Sequence, residues 1–182
     1  FSPTEIRASV GSKYDECIVT VVTPNIYVGG VGFYSDGTTI AYGRTKDEGT
    51  VTSQDATAEN YNIKWDGSTL TLRNATIISD NGDGISSGTM TELVIEGQNI
   101  ITATSLNNSG IRGSASSLTI SGSGTLDVTG DFAGINISTL TLNSGTICAK
   151  ALGTYGQGIE FSGSVIINGG SVMAEGARGI EK

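Results

Sequence analysis

A loose internal repeat of about two dozen residues constrains the fold of this chain more than any other feature. A Gly-Ile pair recurs five times, and successive pairs lie 26, 24, 24 and 21 residues apart, at Gly84-Ile85, Gly110-Ile111, Gly134-Ile135, Gly158-Ile159 and Gly179-Ile180. A second phrase, a short apolar strand followed by a small turn, recurs in phase with these pairs and begins at Leu70, Leu93, Leu118, Leu140 and Val165. Self-similarity at such a period is typical of solenoids, in which each repeat forms one coil.

The length of one repeat leaves room for three short strands and three turns. Alternation along the strands predicts that Leu118, Ile120, Leu126 and Val128 point inward, while the threonines between them point outward. The few apolar side chains of a single coil cannot offset the entropy lost in ordering its backbone, so the coils must stack. The pattern therefore predicts an all-β chain, a right-handed parallel β-helix of about five coils over residues 61–182.

Two other architectures are weaker matches to this pattern. A leucine-rich repeat has a similar period, but it needs a helix or a long Asn-bearing bend in each repeat, and the sequence has no helical periodicity. A β-sandwich would not need Gly-Ile pairs at a fixed phase. Both are therefore disfavoured.

Residues 1–60 lack the repeat and are predicted to form a β-rich cap with a long polar loop over 45–60. Strands are expected at 18–22 and 26–28. Residues 61–72 are predicted to form a hairpin that enters the first coil, with Asp66-Gly67 in a type I′ turn. The last repeat stops in mid-coil, so we expect this end of the solenoid to continue in the natural polypeptide or to be covered by a partner.

Charge and composition argue against several function classes. The net charge is −8, which disfavours binding to nucleic acid and to anionic membranes, and the chain contains no His, the commonest general base and metal ligand. No apolar run reaches the length of a membrane span, and no signal peptide is visible. Cys17 and Cys148 lie several coils apart in the predicted fold, so two free thiols are favoured over a disulfide. No cofactor and no metal are predicted.

The pattern from Ile26-Tyr27-Val28 through Leu70-Thr71-Leu72 and the later repeats resembles repeat regions of secreted surface proteins of gut and cellulolytic bacteria. These are grouped as carbohydrate-binding-domain-like or pectate-lyase-like β-helices. The resemblance covers about residues 26–182 and implies an extracellular or cell-surface protein that binds glycans. Its motifs consist of turn and core residues, and no family site motif is matched.

Four residues are candidates for contact with a glycan. Tyr155 occupies a predicted loop tip, and Phe132 occupies the corresponding loop one coil earlier, beside Asp131. If these loops are stacked neighbours, the two rings form a small aromatic strip against which a sugar can pack. Trp65 is the only Trp, but it shares strand phase with Tyr61 and Ile63, which favours a core position in the cap.

Three other constellations have both a functional and a structural interpretation. Stacking would place Ser86, Arg112, Asn136, Glu160 and Glu181 in one column, with Glu160 and Glu181 about 5 Å apart on adjacent coils, near the separation of a retaining glycosidase pair. Such a pair could also hold Ca²⁺, but a solvated polar column is favoured. The segment 80–84, Asp-Asn-Gly-Asp-Gly, lacks the ligand spacing of an EF-hand and is interpreted as a turn. Outward threonines suggest an ice-binding array, but Glu92 and Ile166 interrupt it.

Three function classes follow from these observations. A non-catalytic extracellular module that binds glycans or mediates adhesion is favoured, because extended solenoid faces suit binding. A polysaccharide lyase or hydrolase is second, since no convincing catalytic set is present. A passive stalk or spacer is third.

Overall fold

The computed structural model describes residues 4–10, 13–19, 22–114 and 117–181, with side chains from residue 22 onward except that of Asp47. It is an all-β parallel β-solenoid of about five turns with an antiparallel N-terminal region, which confirms the predicted fold class. The right-handed sense of the coil stays a prediction. The described residues contain no α-helix, which removes the leucine-rich repeat, and no helix there has the length and apolarity of a membrane span.

Three sheets run along the solenoid, and each coil contributes one strand to each of them. Sheet I has the order β22 (Ile180–Glu181), β19 (Gln157–Phe161), β16 (Ala133–Ile137), β13 (Ser109–Gly113), β10 (Ile85–Ser87), β3 (Ile26–Val28) and β4 (Val31–Phe33). Sheet II has the order β20 (Val165–Ile167), β17 (Leu140–Leu142), β14 (Leu118–Ser121), β11 (Glu92–Glu96), β8 (Thr69–Arg73), β7 (Ile63–Trp65), β5 (Ala41–Thr45) and β6 (Val51–Thr52). Sheet III has the order β21 (Ser171–Glu175), β18 (Thr146–Ala151), β15 (Thr125–Gly130), β12 (Gln98–Ala103) and β9 (Thr76–Ser79).

The Gly-Ile pairs form the inner edge of sheet I. Ile85, Ile111, Ile135 and Ile159 pair in register and are fully buried. The glycine before each of these four isoleucines is required by close packing. The last glycine of the pattern, Gly179, is not crowded, but it has a positive φ. A Cβ on Gly134 would lie 2.6 Å from the backbone nitrogen of Lys150 and 2.7 Å from the carbonyl oxygen of Gly158.

The strands of sheet II are not uniformly aligned on their first leucine. Leu93 pairs with Leu70 on one side but with Ile120, not Leu118, on the other. Further along, Leu118 pairs with Leu140 as the repeat predicts. The register shifts by two residues, so the same side chains still point inward and the composition of the core is unchanged.

The N-terminal region closes the first coil with antiparallel strands. Trp65 pairs with Leu70 across the β7–β8 hairpin, so the connection contains four residues, and the predicted two-residue type I′ turn is wrong. Only Gly67 of these four has a positive φ. The Asp66 carboxylate accepts the backbone N–H groups of Ser68 at 3.0 Å and Thr69 at 2.7 Å, which stabilises the wider turn.

The rest of this region follows a simple layout. Strands β3 and β4 extend sheet I, and β5, β6 and β7 extend sheet II, while a 3₁₀ turn, η1 (Asp47–Gly49), lies in the predicted polar loop. Strands β1 (Thr4–Val10) and β2 (Lys13–Val19) form a two-stranded antiparallel sheet. Strand β2 includes part of the strand expected at 18–22, and residues 20 and 21 lie outside the described residues. The side chain of Cys17 also lies outside them, whereas Cys148 is a free thiol.

A buried amide stabilises the corner between sheets II and III. Asn99 is fully buried at an inward position that Leu126 occupies in the next coil. Its Oδ1 accepts the N–H of Ala75 at 3.0 Å, and its Nδ2 donates to the carbonyls of Glu96 and Thr125, both at 3.2 Å. One side chain thereby joins three successive coils.

The last coil is the least buried. Its strands β20, β21 and β22 have partners on one side only, and several of their apolar side chains are about half exposed: Ile166, Ile167, Met173 and Ile180. The expectation that a further coil or a partner covers this edge stays a prediction.

Candidate functional site

The loops that connect sheet III to sheet I stack into one corner of the solenoid, here called the loop corner: residues 80–84, 104–108, 131–132 and 152–156. Hydrogen bonds join each loop to the next. The N–H of Asn107 donates to Asp131 Oδ2 at 2.8 Å, the N–H of Phe132 to the carbonyl of Asn108 at 2.9 Å, and the N–H of Gly153 to the carbonyl of Asp131 at 2.9 Å. The loops are therefore positioned by the ladders on both sides and by one another.

A cleft of about 490 Å³ opens between three of these loops, and we call it the loop cleft. The structure brings three of the four predicted site residues together there: Asp131, Phe132 and Tyr155 all line it. Tyr155 is 76% exposed, which is consistent with the predicted loop tip. The remaining lining residues are Leu106, Asn107, Leu152, Gly153, Thr154 and Gly156.

Tyr155 lines the cleft together with two exposed aliphatic side chains. Leu106 is 80% exposed and Leu152 is 56% exposed, and both line the cleft. An aromatic face beside aliphatic side chains and polar backbone groups is an arrangement that suits the apolar and hydroxyl faces of a sugar ring.

Asp131 and Phe132 have structural tasks as well. One oxygen of the Asp131 carboxylate accepts the Asn107 N–H, which leaves Oδ1 for a donor in the cleft. The guanidinium of Arg112 lies over the Phe132 ring, 5.8 Å from its centroid, so one face of this ring is covered within the protein. Tyr155 is therefore the better platform of the two.

Trp65 does not belong to this site, and its assignment as a ligand contact is corrected. The indole is fully buried in the core, and its Nε1 donates to Asn25 Oδ1 at 2.8 Å. Strand β7 is paired on both sides, and its alternation turns Trp65 inward beside Ile63. The indole consequently has no face free for a ligand.

A second cleft of about 620 Å³, here called the N-terminal cleft, lies further along the loop corner. It is formed by the turn after β3, the segment around Thr50 and the first loop of the solenoid. Tyr27, which is 45% exposed, contributes an aromatic ring, and Asp80 and Asp83 contribute carboxylates. Tyr27 was not among the site residues predicted from the sequence, although alternation in Ile26-Tyr27-Val28 points it away from the core.

The first loop behaves as a structural turn. The Asp83 carboxylate accepts the N–H of Ser109 at 2.7 Å through Oδ1 and the Nε–H of Arg112 at 2.9 Å through Oδ2. Both oxygens of this carboxylate are thus used inside the protein, which fits the interpretation of residues 80–84 as a turn. Among the described residues, no group of three or more Cys, Asp or Glu side chains is arranged to hold a metal ion.

The outward column of sheet I has the predicted register: Ser86, Arg112, Asn136, Glu160 and Glu181 are successive partners. Burial raises the pKa of Glu160; Arg112 opposes this shift and Glu181 adds to it. Hydrogen bonds from Arg178 and from Gln157 lower the pKa of Glu181. The two carboxyl groups are therefore neighbours whose pKa values move in opposite directions.

The geometry around these two carboxyl groups differs. Glu160 lines a small cleft with Asn136, whose Nδ2 donates to Glu160 Oε2 at 2.5 Å. Glu181 is not part of that lining, and both of its oxygens accept from Arg178, at 3.1 and 2.9 Å. The pair does not share one cleft.

The outward threonines of sheet II do not form an unbroken array. Thr69 pairs with Glu92, Glu92 with Thr119, Thr119 with Thr141, and Thr141 with Ile166. A carboxylate and an isoleucine thus interrupt the flat hydroxyl row, as the sequence predicts.

Comparisons with protein-family models, with curated proteins and with solved structures found no match to this chain.

Proposed function

We propose that this β-solenoid is a non-catalytic glycan-binding module of a secreted or cell-surface protein, and that the loop cleft holds the sugar. The observation that carries the proposal is Tyr155, an aromatic side chain 76% exposed at the mouth of a cleft that already contains Asp131. When a partner covers such an exposed tyrosine, the removal of its ring surface from water contributes favourably to the free energy of binding. Polysaccharides and host or cell-surface glycans are the partners that fit this mixture of aromatic and hydroxyl-binding groups.

The resemblance to bacterial surface β-helix proteins supports the same proposal. Glycans of this kind lie outside the cell, which agrees with an extracellular or surface location. The loops of the site are joined by backbone hydrogen bonds, so the cleft is formed before the ligand arrives and little ordering entropy is lost on binding.

A glycan array with the intact chain and the Tyr155→Ala variant tests this function. Loss of one stacking face is expected to weaken binding about tenfold, because about 1.4 kcal/mol corresponds to a factor of ten. Tyr34→Ala is the matched control, since Tyr34 is exposed but lines neither the loop cleft nor the N-terminal cleft. Equal binding by the Tyr155→Ala variant, or no glycan bound by the intact chain, would contradict the proposal; the second outcome favours a passive stalk.

A second candidate, a polysaccharide lyase or hydrolase, is supported by one observation. Glu160 and Glu181 are adjacent, and their pKa values shift in opposite directions, as in an acid and base pair. The engagement of Glu181 by Arg178 argues against it. Turnover of pectin or β-glucan that disappears in Glu160→Gln would support the enzyme; no turnover by the intact chain would remove it.

A further inference from the structure

Both clefts lie on the loop corner, and they meet at one loop. Leu106 and Asn107 line the loop cleft, whereas the next residue, Asn108, lines the N-terminal cleft. Leu106 is 80% exposed at this junction. The two clefts therefore flank a single loop and follow the same edge of the solenoid.

The exposed tyrosines of the two clefts, Tyr27 and Tyr155, mark the ends of this edge. Tyr27 lies on β3, which pairs with β10, and Tyr155 lies in the loop before β19. The strands β3, β10, β13, β16 and β19 are consecutive in sheet I, so four rung spacings of about 4.8 Å separate the ends by about 19 Å. This distance matches a short oligosaccharide and exceeds a single sugar.

Acidic side chains predominate along this edge, although the Arg112 guanidinium also lies there and donates to the Asn107 carbonyl at 3.1 Å. Asp80, Asp83 and Asp131 line the two clefts, and neither lining contains a Lys or Arg side chain. The nearest guanidinium, that of Arg112, is already paired with Asp83. Asp80 is exposed, and Asp131 uses only one oxygen for Asn107. A carboxylate-bearing glycan would meet repulsion here, while an ammonium group would find partners.

We propose that the two clefts act as one groove for a linear glycan laid along the solenoid axis, and that this groove prefers sugars with protonated amino groups over neutral or uronic ones. The inference rests on the proposed glycan-binding function and adds a direction, a minimum length and a charge preference. Tyr155 contacts one end of the chain and Tyr27 the other, with Asp80, Leu106 and Asp131 between them.

Calorimetry with chitosan oligosaccharides of two to six units tests the length and direction. The hexamer is expected to bind about tenfold more tightly than the trimer, because only the hexamer reaches both tyrosines. Tyr27→Ala should reduce hexamer affinity to that of the trimer and leave trimer affinity unchanged. Tyr34→Ala is the control. Equal affinity for trimer and hexamer would overturn the lengthwise groove.

Chitin hexamer and a hexamer of galacturonic acid test the charge preference on chains of similar length. Chitosan hexamer should bind about tenfold more tightly than its N-acetylated counterpart, and the advantage should shrink as salt is raised. Asp80→Asn should weaken binding of the chitosan hexamer and leave binding of the chitin hexamer unchanged. The control is Asp127→Asn, which removes an exposed carboxylate on sheet III outside the groove and should not change the binding of either hexamer. Tighter binding of the uronic hexamer would overturn the preference.

These outcomes are separable from failure of the proposed function. If a glycan array shows binding that depends on Tyr155 while the whole chitosan series fails to bind, the groove inference is wrong and the module remains a glycan binder. If neither assay shows binding, both proposals fail.

Discussion

Asp83 and Arg112 form an ion pair between the first two coils, with 2.9 Å between Asp83 Oδ2 and Arg112 Nε. The carboxylate is largely shielded, and it also accepts the Ser109 N–H at 2.7 Å. This single side chain therefore joins a loop of one coil to a strand of the next, directly beneath the proposed groove.

Replacing Asp83 by Ala should destabilise the chain by about 1–3 kcal/mol, because a buried N–H and a guanidinium both lose a charged acceptor. The midpoint of urea denaturation measures the effect. Asp80→Ala is the matched control: this neighbouring carboxylate is exposed, and its removal should change stability by less than about 0.5 kcal/mol. Equal losses in both variants would contradict the structural role of Asp83.

Replacing Asn99 by Leu should cost about 2–4 kcal/mol, even though Leu126 occupies the same position one coil later. The substitution removes the acceptor of the Ala75 N–H and the donor to two backbone carbonyls, all at a buried corner. Thermal unfolding followed by circular dichroism measures the loss. Gln98→Leu, at the exposed neighbouring position, should be close to neutral. A stable Asn99→Leu variant would show that the corner does not need the amide.

Adding one methyl group at Gly134 should prevent normal folding or cost several kcal/mol. A Cβ there would lie under 3 Å from backbone atoms of two neighbouring strands, and backbone cannot move aside as a side chain can. Gly88→Ala is the control, because nothing lies within 4 Å of its Cβ position and its φ is not positive. That variant should match the parent or gain up to about 1 kcal/mol. Soluble yield and urea midpoint compare the two, and equal behaviour would contradict the packing argument.

Glu160→Gln and Glu181→Gln should change the pH dependence of stability in opposite directions. The folded pKa of Glu160 is raised, so the stability it contributes is present below its unfolded pKa and falls as pH rises through the folded pKa. The folded pKa of Glu181 is lowered, so its contribution is present above the unfolded pKa and is lost as pH falls through the folded pKa.

As the pH rises from 4 to 7, the free energy of unfolding of Glu160→Gln should therefore increase relative to that of the parent chain, and that of Glu181→Gln should decrease relative to it. Urea midpoints at these two pH values measure both trends. The same trend in both variants would contradict the assigned environments.

Calcium and chelator should leave the melting temperature unchanged. Both oxygens of the Asp83 carboxylate are engaged by the protein, and Arg112 adds a positive charge beside the first loop. A cation would have to displace these contacts to use this loop. Thermal shift with millimolar Ca²⁺ and with EDTA measures this, and a clear rise with Ca²⁺ would show that the loop binds the ion.

The coil architecture was predictable because burial enforces it at every rung. Ile135 must point inward and Gly134 must be small, and both requirements appear in the sequence as a repeated pair. The two-residue slip at Leu93 was not predictable, because Leu118 and Ile120 are both apolar and inward, so either partner satisfies the core.

The candidate site was predictable only in part. Tyr155 lies between glycines in an obvious loop, and the shared phase of Phe132 placed the two together. Trp65 was named as a candidate although its strand phase with Ile63 already favoured the core, where the structure places it. Alternation in Ile26-Tyr27-Val28 indicates that Tyr27 is exposed, but its position beside the first loop depends on the pairing of β3 with β10, which no local pattern encodes.

The two clefts of the proposed groove lie at one corner of this solenoid, and the strand ladders on either side separate that corner from the core. The hydrophobic interior is formed by the inward strand residues of each coil, whereas the exposed side chains of the loops lie outside it. In the loop 152–156, the exposed Leu152, Thr154 and Tyr155 can be exchanged without changing the interior, whereas Gly153 and Gly156 pack closely against neighbouring parts of the chain. Under the proposed function, substitutions at these exposed positions would alter binding preference with little effect on thermodynamic stability, so new specificities are best grafted at this corner.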